Sequence, residues 1–352
     1  MSLDVVHYVS PAADGGWGPV THAARLAARL FGAELTSDNP ASGYSRAWRA
    51  GALVPRPRRD GVRLSILANP GHLLSLRPPS VRARRYAVEA VWIFDAFWDE
   101  WLPRFARRPG GFDVLFVTDR ELVPVYEKAT GVPVHWVPWG TDTQDPAGLP
   151  EDRVTDVLRV GRQPAGWDDD AATAKVFDRA GLSFEGRPAF GHDPVSTRNA
   201  LMAALSRSRM TMAWSNAHSP ARYTHPTREY ISGRWTDAMS RGTQVLGIPP
   251  DCAAAELLPV EGLVIPESTS EADVVEAAAA AAQSWTPAVA RRIRAHAVAR
   301  LDWRHRFDTI RTVLGLHAPL LDAELAQIAR SPSGSDSPPG TGESGAGPLG
   351  SR

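Results

Sequence analysis

Apolar residues along the chain fall into two alternating patterns. Short, nearly continuous runs of the kind that fill a strand buried on both faces occur at residues 4–9, 63–67, 88–94, 114–118 and 134–137. Between them, residues 22–30 space alanine and leucine as a helix does, and residues 120–130 form a second helical stretch closed by Gly131. Strands alternating with helices predict a parallel sheet covered by helices. Residues 142–152, rich in Asp, Pro and Gly, are the best linker, after which the pattern restarts. Strands are predicted at 156–160, 210–214, 244–248 and 263–265. Helices are predicted at 169–180, 196–207, 230–241 (ended by Gly242), 270–283 and 286–316, the last with Pro287 at a tolerated early position. The predicted fold class is α/β, with parallel-sheet domains over 1–145 and 153–300 facing an interdomain cleft, where sheets of this type bind ligands.

Length agrees with two domains, since 352 residues exceed what one compact core usually holds. Residues 331–352 are almost entirely Ser, Gly, Pro, Asp and Glu with a few small residues, too poor in apolar area to repay ordering, and predict a disordered tail. Basic and acidic residues balance at 39 each, which excludes a global field that steers the chain to nucleic acid or an anionic membrane. Any anion must be met locally. Cys252 stands alone, so no internal disulfide or cysteine metal cluster forms, which fits a reducing, cytoplasmic setting. No run of about 18 apolar residues predicts a transmembrane segment; peripheral membrane contact stays open.

The most informative segment runs from Pro226 through Glu229, Tyr230 and Asp237 to Gly242, followed by the apolar Val245-Leu246-Gly247. It resembles the donor-binding signature of GT-B glycosyltransferases, particularly the retaining family four and, within GT-B proteins, spore-maturation-like bacterial transferases. There, two acidic residues separated by seven others precede a glycine and a strand. The resemblance implies that Glu229 contacts hydroxyls of the donor sugar and that Asp237, in place of the usual glutamate, holds the nucleotide ribose; Tyr230 is counted with the donor site. On a continuous helix the eight steps from Glu229 to Asp237 rise about 12 Å, comparable to the span from donor sugar to ribose. The helix N-terminus would offer free amides and a positive dipole end to the pyrophosphate.

Further matches support the resemblance, which implies two Rossmann-like domains. Gly161 and Arg162 follow a predicted strand where the family carries a Gly-Arg whose guanidinium reaches the donor phosphates. The family's lysine a few residues later is missing, and Arg228 is the nearest candidate for the second cation. Gly15 and Gly16 follow the first strand where the family has a glycine loop near donor phosphate and acceptor. Asp95 stands where a catalytic histidine often occurs, and three roles are open to it: hydrogen bonding the acceptor, acting as base in an inverting reaction, or capping the following helix. Residues 134–142 resemble the strand and turn that close the first domain. Residues 301–307 resemble the helix that braces it from behind, so 301–330 are expected to return to the first domain.

Asp168, Asp169 and Asp170 resemble the metal site of the other large glycosyltransferase fold, but at a predicted helix start they read as capping residues. His22, His72, His135, His218, His225 and His305 show no paired ligand spacing, and neither metal nor cofactor is expected. The expected function is metal-independent, retaining transfer of a sugar from a nucleotide sugar to a small-molecule or glycan acceptor. The alternative is a non-catalytic nucleotide-sugar-binding protein with a degenerate site, suggested by Asp237, the missing lysine and the absent histidine. A Rossmann dehydrogenase is disfavoured because no Gly-x-Gly-x-x-Gly joins a strand to a helix.

Overall fold

The computed structural model describes residues 1–9, 16–38, 59–73, 86–103, 111–144 and 149–330. The first sheet has six strands: β1 (Leu3–Val9), β2 (Glu34–Asp38), β3 (Arg59–Leu67), β4 (Tyr86–Ile93), β5 (Val114–Val117) and β6 (Val134–Trp136). Their order is β2-β1-β3-β4-β5-β6. The second has five: β7 (Thr155–Arg159), β8 (Phe184–Glu185), β9 (Ser208–Met212), β10 (Gln244–Leu246) and β11 (Leu263–Val264), in the order β11-β10-β9-β7-β8. Every neighbouring pair in both sheets is parallel. Two parallel-sheet α/β domains thus follow one another along the chain. The apolar runs became strands, including the edge strands β6 and β11; the polar edge strand β2 and the two-residue edge strand β8 carry no such run and went unpredicted.

Helices α1 (Gly18–Phe31) and α2 (Val123–Thr130) belong to the first domain. Gly32 and Gly131 end them in the left-handed conformation, at φ 65° and 71°. In the second domain α3 (Asp170–Arg179) and α4 (Pro194–Ser206) start from Asp169 and Asp193, whose side chains accept from first-turn amides. Then come α5 (Gly233–Ser240), α6 (Glu271–Ser284), α7 (Pro287–Arg300), α8 (Trp303–Leu314) and α9 (Pro319–Arg330). Among the described residues no helix is long and apolar enough to cross a membrane.

Two helical expectations change. The predicted helix 230–241 starts only at Gly233, because residues 229–232 are drawn out into other contacts. The predicted stretch 286–316 is two helices, α7 and α8. They break at Leu301 and Asp302, where Leu301 O takes the amide of Thr141 and Thr141 O takes that of Trp303, both at 2.9 Å. Asp302 then caps α8 by accepting from Arg304 N. The predicted tail 331–352, Gly15 and residues 145–148 of the linker lie outside the described residues.

One apolar cluster joins the two sheets: Val6, Leu64 and Trp92 share it with Leu158, Met202 and Trp235 through α1, α5 and α8. Trp303 sits edge-on to Trp92 and Phe94, at 5.8 and 6.0 Å between ring centres. Gly140 permits this. A Cβ there would lie 2.6 Å from Cε3 of Trp303 and 2.9 Å from Leu301 O. Asp142, at the end of the same turn, accepts from Arg304 and pairs with His22, each at 2.7 Å.

Candidate functional site

The site begins where β7 ends. Gly161 turns the chain at φ 71°, a conformation that favours glycine, and a Cβ there would meet Cδ of Arg234 at 2.5 Å. Arg162 follows. Its Nε donates to Ser219 O at 3.1 Å, its guanidinium lies 5.1 Å over the Tyr223 ring, and its Nη2 is enclosed with no hydrogen-bond partner. Arg234 stands in the first turn of α5, with Nε 3.4 Å from Ser232 Oγ. Burial lowers its pKa to about 10, and the charge of Arg162 adds to that. Arg187 completes the group, donating from Nη2 to Gly161 O at 2.8 Å. Among the described residues no carboxylate pairs with Arg162 or Arg234. Ser232 leaves the first turn of α5 without a side-chain cap. Two partly dehydrated guanidinium groups beside an uncapped helix start leave spare hydrogen-bond donors of the kind an anion can use.

Glu229 is tied to the same turn as Arg162. Its Oε1 accepts from the Ser215 hydroxyl and its Oε2 from Asp251 N at 2.9 Å. Ser215 and Ser219 are the two ends of one turn, closed by Ser219 N donating to Ser215 O at 3.0 Å. Glu229 therefore grips one end of this turn and Arg162 the other. Asn216, within it, donates from Nδ2 to the carbonyls of His225 and Arg228 at 2.8 and 2.7 Å, which fixes the chain just before Glu229.

The first domain supplies the facing wall. Asp95 follows β4, its amide donating to Ala68 O at 2.7 Å. Burial raises its pKa well above the usual carboxylate range, the charge of Asp119 adds to this, and Arg162 opposes it. Burial likewise pushes Asp119 up to about 7, with help from Glu121. Across the junction Tyr230 stacks on Phe97 at 4.1 Å. Burial raises the phenol of Tyr230, Asp95 adds to the rise, and Arg162 and Arg234 oppose it, so the four groups share one electrostatic environment. Of the three roles open to Asp95, capping is removed. The short turn Asp99–Trp101 begins from Trp98, and Asp95 lies outside it.

Arg162, Tyr230 and Asp95 thus share one electrostatic environment with Arg234, and Glu229 is joined to Arg162 only through the Ser215–Ser219 turn. Two other expected residues are engaged elsewhere. Arg228 does not stand beside Arg162 as a second cation: its Nε and Nη2 contact Asp99 at 2.9 and 3.0 Å and clasp the two domains. Asp237 lies inside α5, 2% exposed, with Oδ1 accepting from Thr141 Oγ1 at 2.7 Å and Oδ2 without a partner. Since α5 starts at Gly233, the eight steps from Glu229 to Asp237 do not form one helical span. Gly16 has open space where a Cβ would project, and Pro19, three residues on, touches the start of α5 at Gly233. Asp169 caps α3, and Asp168 and Asp170 both bind Arg159 at 2.5 Å, so the acidic triplet has structural partners. Arg234 was missed by the sequence reading. The available signal was a cation in the first turn of a helix, where the dipole disfavours it unless an anion is present.

No family model matches the chain, and none of the curated proteins matches it. Solved structures do. A sucrose-phosphate synthase from Thermosynechococcus elongatus superposes with a TM-score of 0.54 at 12% identity, covering 91% of this chain and 100% of that one. HepE of Anabaena, in complex with UDP and glucose, gives a TM-score of 0.51 at 13% identity, covering 89% and 99%. These structural neighbours are GT-B glycosyltransferases, and the chain has their fold.

Proposed function

We propose that the protein is a glycosyltransferase that moves a sugar from a nucleotide-sugar donor to an acceptor held against the first domain. The observation that carries this reading is the Arg162 and Arg234 pair at Gly161: two guanidinium groups at the start of α5, with no carboxylate paired to either among the described residues. A diphosphate meets both the charge and the unfilled donors of such a place. Glu229, on the neighbouring turn, accepts hydroxyls of the donor sugar. UDP and glucose in the HepE structure support a nucleotide and a sugar as ligands of this fold.

In the proposed reaction the bond between the anomeric carbon and the diphosphate oxygen breaks while the acceptor oxygen bonds to that carbon. Negative charge grows on the leaving diphosphate, and Arg162, Arg234 and the first amides of α5 stabilise it without a divalent metal. With retention, the acceptor attacks from the face the diphosphate leaves, and a phosphate oxygen takes the acceptor proton. Asp95, its carboxyl raised well above the usual range by burial, hydrogen-bonds the acceptor and is not needed as a base.

Thermal-shift titration with a panel of nucleoside diphosphates and nucleotide sugars, followed by donor hydrolysis and transfer assays, tests the proposal. Stabilisation by one nucleotide sugar together with its turnover is the expected result. Binding without hydrolysis or transfer to any acceptor would leave a sensor in place of an enzyme.

A further inference from the structure

Glu229 is held from behind. Ser215 is buried, and its hydroxyl lies between Oε1 of Glu229 and Nδ1 of His218, the latter at 3.1 Å. A serine hydroxyl has a single proton. With that proton given to Glu229, Nδ1 of His218 carries a hydrogen and donates it to the serine oxygen. Oε2 of Glu229 takes the backbone N–H of Asp251 at 2.9 Å. Each carboxylate oxygen therefore has one protein donor and keeps a further acceptor position. Two adjacent acceptors held in one plane match two neighbouring hydroxyls of a sugar ring.

We infer that His218 is a positioning residue for donor-sugar recognition: through the Ser215 hydroxyl it fixes the Glu229 carboxylate as a double acceptor for vicinal hydroxyls. This rests on the glycosyltransferase reading given above. Without His218 the hydroxyl is free to rotate, and the carboxylate loses a donor that sets its plane. The effect is confined to the sugar. Arg162 is attached to the opposite end of the turn through the Ser219 carbonyl, a contact that does not involve the imidazole. Diphosphate binding should therefore not depend on His218.

The test is calorimetric titration with UDP-glucose, GDP-mannose and ADP-glucose, each compared with its free nucleoside diphosphate. Glu229→Ala and His218→Ala should both weaken the nucleotide sugar, the latter roughly tenfold, and leave the free diphosphate unchanged. His218→Asn, whose amide supplies an N–H in place of Nδ1–H, should restore most of the loss. Ser215→Ala should match His218→Ala, and the double variant should lose no more than either. If Glu229→Ala weakens the nucleotide sugar while His218→Ala does not, or if His218→Ala weakens sugar and diphosphate alike, the inference is overturned. If Glu229→Ala affects neither ligand, or the wild type binds none of the three nucleotide sugars, the donor reading itself fails and takes the inference with it.

Discussion

Arg234 reaches across Gly161 toward Arg162, so closely that a methyl group on the glycine would meet its Cδ at 2.5 Å. Two like charges, partly dehydrated and adjacent, are unfavourable unless something negative joins them. The glycine sets the distance, and the start of α5 adds the positive end of a helix. Together they are the ground for placing the diphosphate end of the proposed donor site here.

Replacing either arginine by alanine should therefore act on the leaving group. Arg162→Ala and Arg234→Ala are each expected to lower turnover by about 100-fold or more, at roughly 3 to 4 kcal/mol per well-placed donor. Arg228→Ala should cost much less, because Arg228 pairs with Asp99. Steady-state kinetics on the three variants checks the order. Equal losses for Arg228 and Arg234 would remove the distinction drawn between them.

Asp95→Asn should reduce turnover only modestly, since the proposed retaining step takes the acceptor proton to a phosphate oxygen and the amide can still hydrogen-bond the acceptor. The product anomer, read by NMR, should match the donor. Abolished turnover with unchanged donor affinity and an inverted product would make Asp95 a general base and the reaction inverting.

Activity should survive chelation. Assays in EDTA, with and without added manganese, provide the measurement. Loss in EDTA restored by manganese would return attention to Asp168, Asp169 and Asp170, at present engaged by Arg159 and the start of α3.

Stability should carry a signature of Asp119. Its folded pKa of about 7 lies above the ordinary 3.8, so its contribution is fully present below pH 3.8 and is lost as pH rises through 7. Asp119→Asn lacks this dependence. It should be more stable than the wild type at pH 8, by up to about 4 kcal/mol, with the difference shrinking toward pH 4. Urea melts at both pH values decide; identical pH slopes for the two proteins would refute the assignment.

Gly140→Ala should destabilise the fold by about 1 to 3 kcal/mol, because the new methyl would press on Trp303 and on the Leu301 carbonyl. Chemical denaturation measures this directly. An unchanged midpoint would mean that the aromatic cluster yields at no cost.

The sequence by itself determined what depends on near neighbours and on burial. Buried strands announced themselves as apolar runs, Gly131 ended α2, Asp169 began α3, and Gly161 turned the chain just past a predicted strand. Tertiary structure alone decided which groups meet. Arg228 and Arg234 are six positions apart and equally cationic, yet Asp99, from the other domain, takes one and leaves the other beside Arg162. Glu229 and Asp237 read as one helical span until Ser215, Asp251 and Phe97 hold residues 229 and 230 outside the helix and Thr141 takes Asp237 into its interior. The helical stretch near the C-terminus breaks only because Thr141 pairs with the backbone around Asp302. Propensity and capping act over a few residues, whereas a side chain's partner is set by the lowest free energy among groups brought close by the whole fold. Such partners can lie far apart in the chain, 159 positions for Thr143 and Asp302 and 295 for Arg29 and Glu324, and no local pattern encodes them.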